Sequence, residues 1–217
     1  MRTFGIQEFW FIAQAAQWTI LLSLIAFVGG AIGGLVLALA RASENVVAQR
    51  LATGFIRLFQ GTPLLMQLFL VFFGAPLVGF EISPWIAAGV ALILNTSAFL
   101  GEIWRGCIQA IPRGQWEAAE ALGLHYAARM RRVVLPQAWK IALPPTVGYM
   151  VQVIKGTSLA AIIGFTEITR AGQIINNATF QPLIVFSVVG AIYFALCWPL
   201  SLWAGQIEIR RAAVLAR

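Results

Sequence analysis

Charged side chains divide the chain into five long apolar stretches. No charge falls between Glu8 and Arg41, and the most apolar part of that run is 18–40. The second, 58–80, lies between Arg57 and Glu81, and the third runs from 82 to about 104, free of charge up to Glu102. The fourth, 139–166, is apolar beyond Lys140 except at Lys155, and the fifth begins at Pro182 inside a charge-free run and reaches about 207. A hydrocarbon core about 30 Å thick needs about 20 apolar residues in helical form. The pattern predicts an all-α membrane protein of five transmembrane helices in a single domain, 1–217. The first run is not expected to be a cleaved leader: no basic segment directly precedes it, it exceeds an ordinary leader core, and it ends at Arg41 without a small-residue cleavage site.

Composition agrees. Of the 217 residues, 60% are hydrophobic and 11% charged, and mean hydropathy is +0.83. A soluble domain carries about 25% charged residues, so this chain lacks the polar surface to cover a globule in water. There are 15 Lys and Arg against 8 acids, all of them Glu. A basic excess can signal nucleic acid, but here it follows connections rich in Lys and Arg, and no nucleic-acid partner is expected. Arg41, Arg50 and Arg57 lie in one connection. Arg105, Arg113, Arg129, Arg131, Arg132 and Lys140 lie in another, and Arg210, Arg211 and Arg217 in the tail. The intervening connections hold only Glu81, and Glu167 with Arg170. This alternation places the N-terminus outside and the C-terminus inside. Cys107 and Cys197 have neither disulfide-framework nor zinc spacing.

The connection 112–138 is too long and too patterned for a simple loop. Pro112 and Gly114 interrupt the third span, Gln115–Leu122 has the composition of a short helix, and Gly123 can end it in a left-handed conformation. Tyr126–Leu135 reads as a second helix, basic on one side, which Pro136 is expected to close. One account is an amphipathic segment at lipid headgroups. Another is a knob for a partner protein. Ala118, Ala119 and Ala121 would admit a close surface, while Glu117, Arg129, Arg131 and Arg132 would supply charges for register. His125, the one histidine, is expected to be a contact residue there.

The spacing favours the second account. Glu117-Ala118-Ala119, three residues, Gly123, nine residues, then Val133-x-Leu135-Pro136 resembles the EAA loop of permease subunits in binding-protein-dependent ABC importers, with Val133 in place of Ile. Further segments resemble the permeases for polar amino acids, the histidine, glutamine, arginine and opine group. They are Phe59-Gln60-Gly61-Thr62-Pro63-Leu64-Leu65, Ala98 to Gly106, Lys155-Gly156-Thr157-Ser158-Leu159, and Ile168-Thr169-Arg170-Ala171-Gly172-Gln173. The resemblance implies the type I ABC importer permease fold. The elbow would be the coupling helix seated on a separate ATPase dimer, with Glu117, Ala118, Ala119, Gly123, Arg129, Leu135 and Pro136 at the contact. It further implies a second permease subunit, copy or paralogue, an extracytoplasmic substrate-binding protein, an amino-acid substrate and a bacterial inner membrane. ATP and Mg would be used by the partner; this chain would bind no cofactor or metal and would not itself be an enzyme.

Lys155 stands out on physical grounds, since an ammonium deep in an apolar run is costly unless paired or hydrated. Gly156 weakens the helix beside it, and Thr157 and Ser158 add hydroxyls, so the segment is a candidate wall of the substrate pathway. Alternatively, Lys155 snorkels and the hydroxyls bond back to their own helix. Related permeases often carry Asp where this chain has Gly156, which argues against a strongly basic substrate. Asn95, Thr96 and Ser97 form a polar patch that would line the pathway or join helices. Glu102 is a further pathway candidate, but it stands three residues from Arg105, as an ion pair would. No phosphate-cradling GxxxxGK[ST] segment is present. A secondary transporter or channel for small polar solutes would account for the spans and Lys155, though not for the elbow.

Overall fold

The computed structural model describes residues 3–215, and side chains through Ile209. Of the basic tail, Arg217 lies outside the described residues, and Arg210 and Arg211 outside the described side chains. Helices α1 (Ile6–Ala42), α2 (Val46–Gly61), α3 (Leu64–Leu77), α4 (Pro84–Gln109), α5 (Arg113–Ala121) and α6 (Tyr126–Arg129) come first. α7 (Leu135–Gly156), α8 (Ile168–Thr179) and α9 (Pro182–Leu215) follow, and no strand occurs among the described residues. Four helical stretches are long and apolar enough to cross a membrane, and the bent pair α2–α3 makes up to five. The protein is a multi-pass membrane protein.

The centre of the molecule is the seam between α1 and α4, the most extensive helix contact. Buried positions on α1 recur every three or four residues, at Ile12, Ala15, Thr19, Leu22, Ala26, Gly30, Gly34 and Ala38, which defines one helical face. The other faces of α1 expose Leu24, Val28, Ile32 and Val36, as a bilayer-facing helix requires. Gly30 and Gly34, four residues apart, make a GxxxG pair of the kind that lets helices pack closely. A Cβ at Gly30 would lie 2.5 Å from the Cβ of Thr96, and one at Gly34 2.9 Å from that of Leu100. From the other side, a Cβ at Gly101 would meet Leu37 Cβ at 2.9 Å. Small residues thus bring the two backbones together.

Two expectations about helix ends are corrected. The apolar run 58–80 is not one helix: it breaks at Thr62-Pro63, where α2 and α3 meet at 102°. Proline disfavours helical backbone at the residue before it, and Thr62 is extended at φ −117°, ψ 140°. Pro136 does not end the second elbow helix. Met130–Val134 forms a π turn in which the Leu135 amide donates to the Met130 carbonyl, and α7 starts directly behind it. The wider turn makes room for a ring that would clash in regular α geometry. At Gly156, where the helix was expected to weaken, the α-helix gives way to a 3-10 helix over Thr157–Ile163, which runs until Gly164 at φ +87°.

The segment 167–182, read as a connection, contains α8, a 12-residue amphipathic helix packed against α1 and α9. Its first-turn amides are all engaged. Ile168 N donates to Thr19 Oγ1 at 3.3 Å, Thr169 N and Arg170 N to the Glu167 carboxylate at 2.9 Å each, and Ala171 N to the Glu167 carbonyl at 2.8 Å.

Candidate functional site

The elbow is built by its own capping chemistry. At the end of α5 the Gly123 amide donates to the Glu120 carbonyl (2.8 Å) and the Leu124 amide to the Ala119 carbonyl (3.1 Å). With Gly123 at φ +71°, this is a Schellman ending, and it reverses the chain into α6. Arg129 then reaches back to Glu120 across the turn at 2.9 Å. The Tyr126 hydroxyl donates to the Ala42 carbonyl at the end of α1, and Trp116, Tyr126 and Leu135 pack on the cluster of Ile108, Ile111, Met130, Val134 and Ala138. The elbow is therefore fixed to the bundle on one side and open on the other. The open side presents Glu117, Ala118, Ala121, Arg131 and Arg132, with Leu122 80% exposed at the tip.

The polar groups inside the bundle fall into separate sets. Asn95 is buried and donates to Gln67 Oε1 at 3.0 Å; Gln67 Nε2 in turn donates to the Phe59 (2.8 Å) and Thr62 (3.1 Å) carbonyls, clamping the break between α2 and α3. The Tyr149 hydroxyl donates to Asn95 Oδ1 at 3.4 Å, and its ring stacks on Phe99. Glu102 is paired with Arg105, whose Nε donates at 2.9 Å. Lys155 is exposed and belongs to neither set. It lines two adjoining hollows, one of about 300 Å³ with Val151, Tyr193, Phe194, Cys197, Trp198 and Ser201, the other of about 270 Å³ with Ser158, Thr169, Val189 and Tyr193. Among the described residues no carboxylate is paired with it. Thr157 and Ser158 donate to the Ile154 (2.7 Å) and Lys155 (2.6 Å) carbonyls, so each hydroxyl has only acceptor capacity left over.

The chain matches, over residues 30–212, the model of a family described as the binding-protein-dependent transport system inner membrane component. It belongs to that family. It is 36% identical over 193 residues to the probable amino-acid ABC transporter permease protein YckA of Bacillus subtilis, spanning 89% of this chain and 85% of that one. With the glutamine transport system permease protein GlnP of Escherichia coli K12 it shares 34% over 206 residues, 94% of each chain. The solved structure of an amino acid ABC transporter with histidines superposes with a TM-score of 0.87 at 34% identity, covering 92% of this chain and 94% of that one. The inward-facing MetNI methionine ABC transporter, at 17% identity over 94% of this chain and 97% of that one, shares the fold, with a TM-score of 0.79.

In this chain the anticipated site residues separate by position. Glu117, Ala118 and Gly123 lie on the open side of the elbow, but Ala119, 2% exposed, faces the bundle and is not available to a partner. Arg129 and Leu135 are half-buried in the elbow's own packing, and Pro136 is exposed at the start of α7. Asn95 ties helices together, and Glu102 is an ion-pair partner. Position 156 does not face the Lys155 hollows: a Cβ there would approach Leu64 Cδ2 at 3.2 Å and Leu92 Cδ2 at 3.6 Å. Three residues escaped the sequence reading. Leu122 looks like an ordinary helix apolar until its exposure is seen. Glu167 lay in a supposed connection, and Tyr193 in a run with no charge to mark it. An acid directly before Ile168-Thr169-Arg170 was the available signal for a helix cap, though Glu is not among the commonest capping residues.

Proposed function

We propose that the protein is the permease subunit of an ATP-driven amino-acid importer in a bacterial inner membrane, N-terminus outside, C-terminus inside. It works with a second permease subunit, an ATPase dimer that uses ATP and Mg, and an extracytoplasmic substrate-binding protein. The observation that carries this is the elbow. The Glu117-Ala118-Ala119 to Leu135-Pro136 spacing folds into a helix, a left-handed glycine and a return helix, braced from behind and bare in front. A channel or secondary transporter has no use for such a knob. The ATPase contact is Glu117, Ala118, Ala121 and Leu122, with Arg131 and Arg132 setting register. The substrate path includes the hollows at Lys155, where the ammonium attracts an α-carboxylate and Ser158 offers a neutral acceptor.

The test is co-purification with the co-expressed ATPase, combined with substrate-stimulated ATP turnover in vesicles. Leu122→Asp and Glu117→Lys alter side chains that make no internal hydrogen bond, so both variants insert normally and fail to retain the ATPase. Normal retention and turnover in both would dismiss the elbow as the contact. Orientation is read independently: a cysteine at Ser83 reacts with an impermeant thiol reagent from outside, and one at Gln115 does not.

A further inference from the structure

Where α1, α4 and α7 meet beside the elbow, the bundle leaves a hollow of about 270 Å³. Leu35 and Ala38 of α1, Trp104 and Ile108 of α4, and Trp139 and Ala142 of α7 stand in its wall, which is almost wholly apolar. The indole N–H of Trp104 is spent on Thr146 Oγ1 at 2.8 Å. A buried water needs about two to four polar partners, and this wall does not supply them. An apolar cavity of about 150 Å³ stays dry and admits benzene. One of about 270 Å³ has room for a length of hydrocarbon chain.

The mouth of the hollow faces lipid. Leu35 and Trp139 are 47% and 59% exposed, and Leu35 adjoins Ile32 and Val36 on the bilayer-facing side of α1. The depth is that of a membrane boundary: Ala38 and Ile108 lie about one turn or less from the ends of α1 and α4, and Trp139 about one turn from the start of α7. An indole at the mouth suits that level. The charge there is positive. Arg131 and Arg132 precede the α7 wall and Lys140 follows Trp139, all three exposed and none ion-paired among the described residues. No carboxylate occurs between Glu120 and Glu167, and Glu120 is itself taken by Arg129.

We propose that this hollow is a phospholipid site: an acyl chain lies between α1, α4 and α7, and the basic stretch around Lys140 selects an anionic headgroup over a zwitterionic one. Basic residues at a membrane surface attract anionic lipid, and a lysine stem lies along apolar surface while its ammonium reaches the headgroups. Ile108 and Leu135 belong both to this wall and to the cluster behind the elbow. The lipid chain therefore packs the back of the elbow's return arm and helps hold it to the bundle. The site requires a bilayer but no ATPase, substrate or second subunit.

The test reconstitutes the full chain in vesicles of phosphatidylglycerol and phosphatidylcholine with identical acyl chains in equal amounts. The protein is then re-extracted, washed free of bulk lipid and weighed intact by native mass spectrometry. The wild type keeps phosphatidylglycerol over phosphatidylcholine by about fivefold or more. Lys140→Gln, a change at an exposed side chain, lowers that preference about fivefold, the size expected for one basic residue at a membrane surface. Ala38→Leu with Ala142→Leu fills the hollow with protein carbon and abolishes lipid retention. Adding phosphatidylglycerol back to stripped protein raises the melting temperature of the wild type, as a ligand of the folded state does, and leaves that of the double variant unchanged. A wild type that keeps no lipid, or both lipids equally, overturns the proposal. So does an undiminished preference in Lys140→Gln, or a folded double variant that holds as much lipid as the wild type. A double variant that keeps its lipid but loses a second copy of the chain assigns the hollow to a subunit interface and overturns it as well.

Discussion

Glycine serves opposite ends in the α1–α4 seam and in the elbow. At Gly30 and Gly34 the backbone is ordinary helix, and what matters is the atom that is missing, because a neighbouring helix occupies its place. At Gly123 nothing lies within 4 Å of where a Cβ would stand, yet φ is +71°. The seam uses glycine for proximity and the elbow for conformation. A sequence shows both as the same letter, but substitution separates them: the first site responds to volume, the second to backbone preference.

The largest expected effect is at the seam. Gly30→Val drives branched carbons into Thr96 and towards the Ser97 backbone, beyond the roughly 1–3 kcal/mol of ordinary overpacking, and should abolish a monodisperse detergent-extracted species. If this variant elutes and melts like the wild type, the seam is not the close contact described. Next comes Gly123→Val, with strain of about 1–2 kcal/mol confined to the elbow. Yield and melting should stay near wild type while ATPase co-purification falls sharply; a variant that behaves in the reverse way would erase the contrast. Tyr126→Phe removes one hydrogen bond to Ala42, worth about 1 kcal/mol, and should lower the melting temperature slightly with insertion intact. The smallest effect belongs to Gly148→Ala in α7, which has open space and no positive φ. A loss comparable to Gly30→Val there would show that the glycine geometry is not what governs tolerance.

The spans were legible because an apolar run of bilayer length has few other solutions, and Gly123 because a helix followed by a basic helix needs a turn. The bend at Thr62-Pro63 was written as plainly, but a continuous apolar run masked it. Pro136 misled for a physical reason: a π turn relieves the clash that a proline imposes on an α-helix, and no residue type announces a π turn. Ala119 was assigned to a partner surface because composition says how small a side chain is, not which side of a short helix it occupies. The Lys155 hollows were half-visible. The charge drew notice, whereas Tyr193 shares their walls only once α7 and α9 are brought together.

The π turn that tolerates Pro136 has a mechanical consequence. Because helical backbone continues from Tyr126 through Ile163, 38 residues, the return arm of the elbow and the lysine stretch are one strut, not two pieces joined by a hinge. At about 1.5 Å per residue, the roughly 26 residues from Arg129 to Lys155 span roughly 39 Å. A strut of that length, tilted by about 5° at its elbow end, carries its far end through roughly 3 Å, the length of one hydrogen bond. Leverage of this kind makes and breaks polar contacts at a distance with no unfolding in between.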